Sequence, residues 1–551
     1  MTRRPLLPVL LLVTILASII SARAQDSASI SAKGQMATAD ALYKNGKLED
    51  AAKLYESLLA GDAKLVHARA GLMRVRLHQQ RPDEAFKLGK TGMALPSYTT
   101  ELLSEMGNVQ FRRAEMMDAE QSYLKALSVD ERDVRAHLGL ARLYKAYSMR
   151  RMAFDHLKFA HAIAPADPEV QRAWFSALPR RERLEAIEKY LSAPHPDDQE
   201  ETTRLKHYVD YLKATADKPP HSCRLVSKVE RTKTPLIMMM RDPSHVRGWG
   251  LQVKLNGHDS HLFLDTGASG IILGSSAAES AGLERITPIR FGGVGDSGLQ
   301  SGYMAVAKHM RIGELEFEDC MVNVSAQRSL LEQDGFIGAD VFASYLVSID
   351  GPGLKLGLAP LPKRPDEISA KTALHTDEDD AEQDESTNGQ EESNKQAEIR
   401  LPKDRYVAPE MKDWTAVFRF GHELLIPTQV NDSSMMLFLI DTGATTTTIS
   451  TAAAQKVTKI YRNDRIRVKG LSGGVDNVYT ADKVKLHFSN FSQENQDLLT
   501  IDLSNVSRYT GTEISGLLGF AVLRRLEVKI DYRDGLVDFS YDKKRVPVFQ
   551  H

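Results

Sequence analysis

Two carboxylates stand at the ends of nearly identical apolar runs. Asp265 follows Leu262-Phe263-Leu264 and opens Thr266-Gly267-Ala268-Ser269; Asp441 follows Leu437-Phe438-Leu439-Ile440 and opens Thr442-Gly443-Ala444-Thr445. A short apolar run bounded by turn residues reads as a buried strand, so each copy delivers an acid into a tight turn. Such an acid is suited to proton transfer. One Asp-Thr-Gly alone is ordinary turn chemistry, and the weight lies in the repetition of everything around it.

Upstream of each copy lies a short strand and a turn, Leu251–Leu255 with Asn256-Gly257 and Leu424–Val430 with Asn431-Asp432. Asn-Gly between apolar runs is a strong hairpin signal. Downstream come Phe291-Gly292-Gly293-Val294-Gly295 and Lys469-Gly470-Leu471-Ser472-Gly473-Gly474, then Phe336-Ile337-Gly338 and Leu517-Leu518-Gly519. Each half closes on matching strands, Val347–Asp350 with Leu354–Leu356 and Val528–Asp531 with Leu536–Phe539. From Asp265 to Asp350 is 85 residues and from Asp441 to Asp531 is 90, which marks a duplicated all-β unit.

Strand, Asp-Thr-Gly-Ala, Gly-rich hairpin, apolar-apolar-Gly and closing strands together resemble the retropepsin-like and pepsin-like aspartic proteases, over roughly 245–362 and 412–547. The resemblance implies that two lobes meet to form one site, with Asp265 and Asp441 as a catalytic pair and either able to start as the base. Two carboxylates about 3 Å apart cannot both ionise; they share a proton and hold the water that attacks a peptide carbonyl. It further implies that Thr266 and Thr442 bond across the lobe interface. Gly267 and Gly443 would permit close backbone approach, and Ile337, Gly338, Leu518 and Gly519 would buttress the loops. The Gly-rich segments would be flaps over an extended polypeptide substrate, making Gly292, Gly293, Gly295, Gly470, Gly473, Tyr303 and Tyr479 candidates for substrate contact. Pepsin-like enzymes commonly carry Ser or Thr where this chain has Ala268 and Ala444. Without that hydroxyl the pair should be less acidic, shifting activity toward mildly acidic or neutral pH.

The elements that must position these residues occupy only part of the 551-residue chain, which is long enough for several cores. Met1–Ala24 reads as a secretory signal, with Arg3 and Arg4 before an apolar core and Ala22-Arg23-Ala24 as cleavage site. The expectation is therefore an exported protein, periplasmic or extracellular, without a membrane span after signal removal; the alternative is anchoring by an uncleaved signal, for which the apolar run is short. Over 36–195, Ala51, Ala85, Ala119 and Ala153 recur every 34 residues, the period of a helical-hairpin array. This pattern resembles tetratricopeptide repeats, despite Gly89 and His156 on the expected helices, and implies a concave surface for substrate or a partner protein; the alternative is a spacer or stabilising stalk. A polar connector is expected at 196–222, a first lobe at 223–362, an acidic disordered linker at 363–405, and a second lobe at 406–551.

A net charge of -2 gives no reason to expect nucleic acid, and two cysteines, Cys223 and Cys320, make no disulfide framework. Gly295-Asp296-Ser297-Gly298 imitates a serine-protease nucleophile motif but sits within an expected flap. His422-Glu423 begins like a zinc helix but lacks the second His, so neither metal nor cofactor is expected. The fold class is a helical-repeat solenoid followed by two all-β lobes related by a pseudo-twofold. The function read from it is an exported aspartic endopeptidase; the alternatives are a non-catalytic peptide-binding scaffold and a protease active only as a homodimer.

Overall fold

The structure, a computed structural model, describes residues 32–545 except 97–98, 198, 217–222, 243–244, 292–299, 329, 331–332, 366–402, 434 and 471–472. The expected signal segment and nearly all of the expected acidic linker lie outside the described residues, as does Gly295-Asp296-Ser297-Gly298.

An all-helical region of paired helices comes first. Outer helices begin at Leu48, Pro82, Met116 and Arg150, and inner helices at Val66, Thr100, Val134 and Pro168, each set 34 residues apart. The periodic alanines are all buried, each at the fourth position of its outer helix. Tyr55 and Tyr123 are buried against glycines of the inner helices, Gly71 for the first and Gly107 and Gly139 for the second. Gly89, a weak helix former, is explained by packing: a Cβ there would stand 2.7 Å from Met106 Sδ and 2.9 Å from Met73 Cε. The turn before each outer helix passes through the left-handed region at Gly46, Gln80, Ala114 and Ser148, again 34 residues apart.

The inner face is occupied by the chain's own polar side chains. The Tyr43 hydroxyl donates to Glu169 Oε1 at 2.5 Å, tying the first inner helix (32–44) to Pro168–Trp174. Arg135 pairs with Glu169 at 2.6 Å and Arg74 with Glu105 at 2.6 Å. Helices distant in sequence are thereby bonded to one another by polar side chains.

The expected connector at 196–222 contains a helix, Gln199–Ala214. Its Val209, Tyr211 and Leu212 are buried in a cluster with Met304, Ile286 and Ile289 of the first lobe's hairpin strands Glu284–Phe291 and Gln300–Ile312. The repeats also join the second lobe: Thr512 Oγ1 donates to the Phe111 carbonyl at 2.6 Å and Glu513 N–H to the Arg112 carbonyl at 2.9 Å. Phe111 and Phe420 lie 6.0 Å apart and Tyr147 and Phe418 5.0 Å apart. Helices thus brace both β-rich units.

The two lobes repeat one topology. In each, the motif strand (His258–Asp265 or Met435–Asp441) runs parallel to the apolar-apolar-Gly strand (Gly335–Gly338 or Gly516–Gly519), placing Asp265 beside Gly338 and Asp441 beside Gly519. Asn256 and Asn431 adopt positive φ at equivalent turns, and their side-chain oxygens accept from His309 N–H at 3.0 Å and Lys485 N–H at 2.8 Å. The closing strands of the two halves pair with one another, giving the order Thr415–Ala416, Leu536–Ser540, Glu527–Asp531, Tyr345–Asp350, Lys355–Pro360, Thr232–Asp242. A single apolar core runs through both lobes, with Trp249 edge-on to Phe520 at 4.9 Å.

Cys223 and Cys320 form one disulfide, which staples the short edge strand Arg224–Leu225 to Leu315–Ser325. The expected linker is anchored on both sides: Arg364 bonds to the Asp534 carboxylate, Tyr406 N–H donates to it at 3.0 Å, and Arg405 Nε donates to the Asp534 carbonyl at 2.7 Å. Arg364 and Arg405, at the two edges of the expected linker, are therefore bonded to the second lobe.

Candidate active site

Parallel pairing within each lobe carries both motif acids to one point. Thr266 N–H donates to Thr442 Oγ1 at 3.0 Å and Thr442 N–H to Thr266 Oγ1 at 3.0 Å. Each hydroxyl in turn donates across the interface, Thr266 to the Ile440 carbonyl at 2.7 Å and Thr442 to the Leu264 carbonyl at 2.8 Å. All four bonds are buried, where a lost partner would leave a costly unsatisfied group. Only threonine or serine offers the donor and acceptor that this reciprocal arrangement needs.

The acids face one another over their glycines. A Cβ on Gly267 would stand 3.0 Å from the Asp441 carboxyl, and one on Gly443 would collide with the Asp265 carboxyl. Asp265 and Asp441 are within hydrogen-bonding reach of each other. Burial, then the charge of Asp441, pushes Asp265 well above the ordinary carboxylate range; burial also raises Asp441, against main-chain donors that lower it. In each lobe they come from the second and third residues after the acid. Asp441 Oδ1 accepts Gly443 N–H at 2.8 Å and Ala444 N–H at 3.0 Å. Asp265 Oδ1 accepts Gly267 N–H at 2.8 Å, while Ala268 N–H also reaches the Asp265 carbonyl at 3.2 Å.

Behind the loops, Ile337 and Leu518 are fully buried. Gly338 and Gly519 abut the motif loops so closely that a Cβ would strike Ala268 and Thr446 respectively.

Of the residues expected to reach substrate, Gly292, Gly293 and Gly295 lie outside the described residues. Gly470 pairs with Gly473 in a two-residue ladder, with Gly473 at φ +96°. Tyr479 lies in the strand Tyr479–Ala481, opposite Arg462 on one side and Thr500 on the other. The Tyr303 ring packs on the lobe core beneath the Arg285 guanidinium, 4.6 Å from its centroid.

His422-Glu423 leads into a strand, Glu423–Val430, rather than a helix. No group of three or more metal-ligating side chains occurs among the described residues.

Asp340 belongs to none of the sequence motifs named above. It is 3% exposed, and both its carboxylate oxygens accept Gly270 N–H at 3.1 Å. Its signal was an acid set inside the apolar run Ala339-Asp340-Val341-Phe342.

No curated protein matches the chain. The aspartyl protease family model matches it twice, over residues 251–341 and 426–522, so each β-rich lobe contains one match that includes one of the two facing acids.

Proposed function

We propose that the two lobes form a single aspartic endopeptidase site, with Asp265 and Asp441 activating one water. The observation that carries this reading is the reciprocal Thr266–Thr442 bonding, which sets the half-buried Asp265 and the buried Asp441 face to face within one chain. It favours pairing inside the chain over an obligate homodimer.

The pair shares one proton; Asp265, raised further by the charge of Asp441, carries it as the acid, and Asp441 is the base. Asp441 takes a proton from water as the water oxygen bonds to the peptide carbon, and Asp265 gives its proton to the carbonyl oxygen. In the collapse, the amide nitrogen leaves with the proton from Asp441, and Asp265 recovers one from the diol. Extended substrate would lie along the cleft by strand-like main-chain pairing, with the Gly470–Gly473 tip and Tyr479 as contacts.

The helical region is proposed to be tetratricopeptide-like and to act as a brace on both lobes. Recruitment of a partner on its inner face would first require the Tyr43–Glu169 contact to open. Export is supported by the Cys223–Cys320 disulfide, since such bonds persist in oxidising compartments, together with the Met1–Ala24 signal pattern. Among the described residues no helix is long and apolar enough to cross a membrane.

The test is cleavage of a peptide library by residues 25–551 between pH 3 and 8, beside Asp265→Asn and Asp441→Asn. Cleavage by wild type and loss in each variant is the expected result. A variant with full activity would refute a shared pair, and peptide binding without cleavage would favour a binding scaffold.

A further inference from the structure

The two motif loops agree as far as Ala268 and Ala444 and are then secured by different means. Five residues separate Asp265 from the strand beginning at Ile271, and six separate Asp441 from the strand beginning at Thr448. In the second lobe the longer loop is held by Phe520 N–H on the Ala444 carbonyl at 2.7 Å and Ala521 N–H on the Thr445 carbonyl at 3.1 Å. Gly519 N–H on Thr447 Oγ1 at 3.3 Å completes it. In the first lobe the loop ends at Gly270, held at φ +60°. There Gly338 N–H donates to the Gly270 carbonyl at 2.7 Å, and Gly270 N–H donates to Asp340. Asp340 stands two residues beyond Gly338, the register partner of Asp265; the residue at the same step beyond Gly519 is Ala521.

We propose that Asp340 is a positioning residue for Asp265, a role that the second lobe fills without an acid. Burying a carboxylate is costly unless its bonds compensate, and here the bond fixes the far end of the loop whose near end carries Asp265. The same loop supplies the Gly267 N–H that meets the Asp265 carboxylate. A displacement of Gly270 is therefore passed through four residues to the acid, and misplacements on the order of 1 Å can cost ~100-fold in rate.

This inference rests on the peptidase reading, and its test separates the two. With a cleavable peptide, Asp340→Ala should lower kcat roughly 10- to 100-fold while KM changes little. Asp340→Asn, whose amide oxygen still accepts Gly270 N–H, should recover most of the rate. Asp340→Glu keeps the charge, displaces the oxygens by one methylene, and should resemble the alanine variant. Equal rates for the alanine variant and wild type, or equal loss in the alanine and asparagine variants, would overturn the proposal. Amide hydrogen exchange on the full chain reads the same contact without activity: Asp340→Ala, or Asp340→Glu if the alanine variant does not fold, should speed exchange at Gly267–Gly270 and leave Gly443–Thr447 unchanged. Unchanged exchange at Gly270 overturns the proposal even if wild type cleaves. If wild type is inert, the peptidase reading fails and exchange still decides whether Asp340 holds the loop.

Discussion

Asp265 and Asp441 are held where ionisation is opposed, and this has a consequence for stability. Burial raises both acids, and the neighbouring Asp441 raises Asp265 further. A folded acid whose pKa lies above its unfolded value binds more protons than the unfolded chain, so stability falls as pH rises from about 4 through the folded value. Asp265→Asn should therefore melt higher than wild type at pH 7, by roughly 2–4 °C for each kcal/mol relieved. The gain should disappear near pH 3; calorimetry of the two proteins across pH checks it, and a lower melting temperature for the variant at pH 7 would contradict it. The acids and threonines were legible because the tripeptide recurs with its surroundings. Asp340 was not, since a lone acid in an apolar run acquires meaning only when the chain folds Gly270 against it.

Among the elements, the 34-residue rhythm was visible in the alanines, which must be small to let the helices approach. Less visible was that the turn repeats equally strictly, because only Gly46 among the four left-handed positions is glycine. Ser148 is 2% exposed at φ +57°, and its Oγ has no hydrogen-bond partner among the described residues. Ser148→Gly should stabilise the protein by about 1–2 kcal/mol, from relief of the left-handed penalty and removal of a buried hydroxyl. Urea denaturation would show this as a higher midpoint, and a lower one would mean that packing of Ser148 against Gly535 matters more. The helix Gln199–Ala214 was hidden by its charge, although Leu205, Val209 and Leu212 already stand at helical spacing. What makes them a face is the hairpin beneath, so the missing information was tertiary.

At the scale of the whole molecule, the lobes are joined three ways: by a shared sheet, by a common core, and by the helices that touch both. The tether between them adds little to this, because its two ends meet on Asp534. Arg533 reinforces that clasp, donating to the Asp534 carboxylate at 2.9 Å and to the Pro362 carbonyl at 2.9 Å. A site-specific protease sequence placed within 366–402 and then cut should leave the two fragments co-eluting on gel filtration, with peptide cleavage within about twofold of the uncut protein. Separation of the fragments would show that chain continuity is needed. The pseudo-twofold was readable from the matched closing strands, but their pairing with one another was not, since both halves present the same pattern and only packing selects the partner.

The shared sheet also has a meaning in time. Glu527–Asp531 and Leu536–Ser540 are the last strands described to leave the ribosome; the first lies against Tyr345–Asp350 of the first lobe, and the second pairs with Glu527–Asp531 from the other side. A chain grown as far as Arg525 already contains both acids, both threonines and both buttressing glycines, yet lacks the seam that fixes one lobe on the other. Alignment of the lobes then arrives with Glu527–Asp531 rather than gradually, and on the peptidase reading a protein ending at Arg525 should cleave at least tenfold more slowly than the full chain while retaining its helical circular dichroism. Equal cleavage by the truncated protein would show that the helices alone can align the lobes.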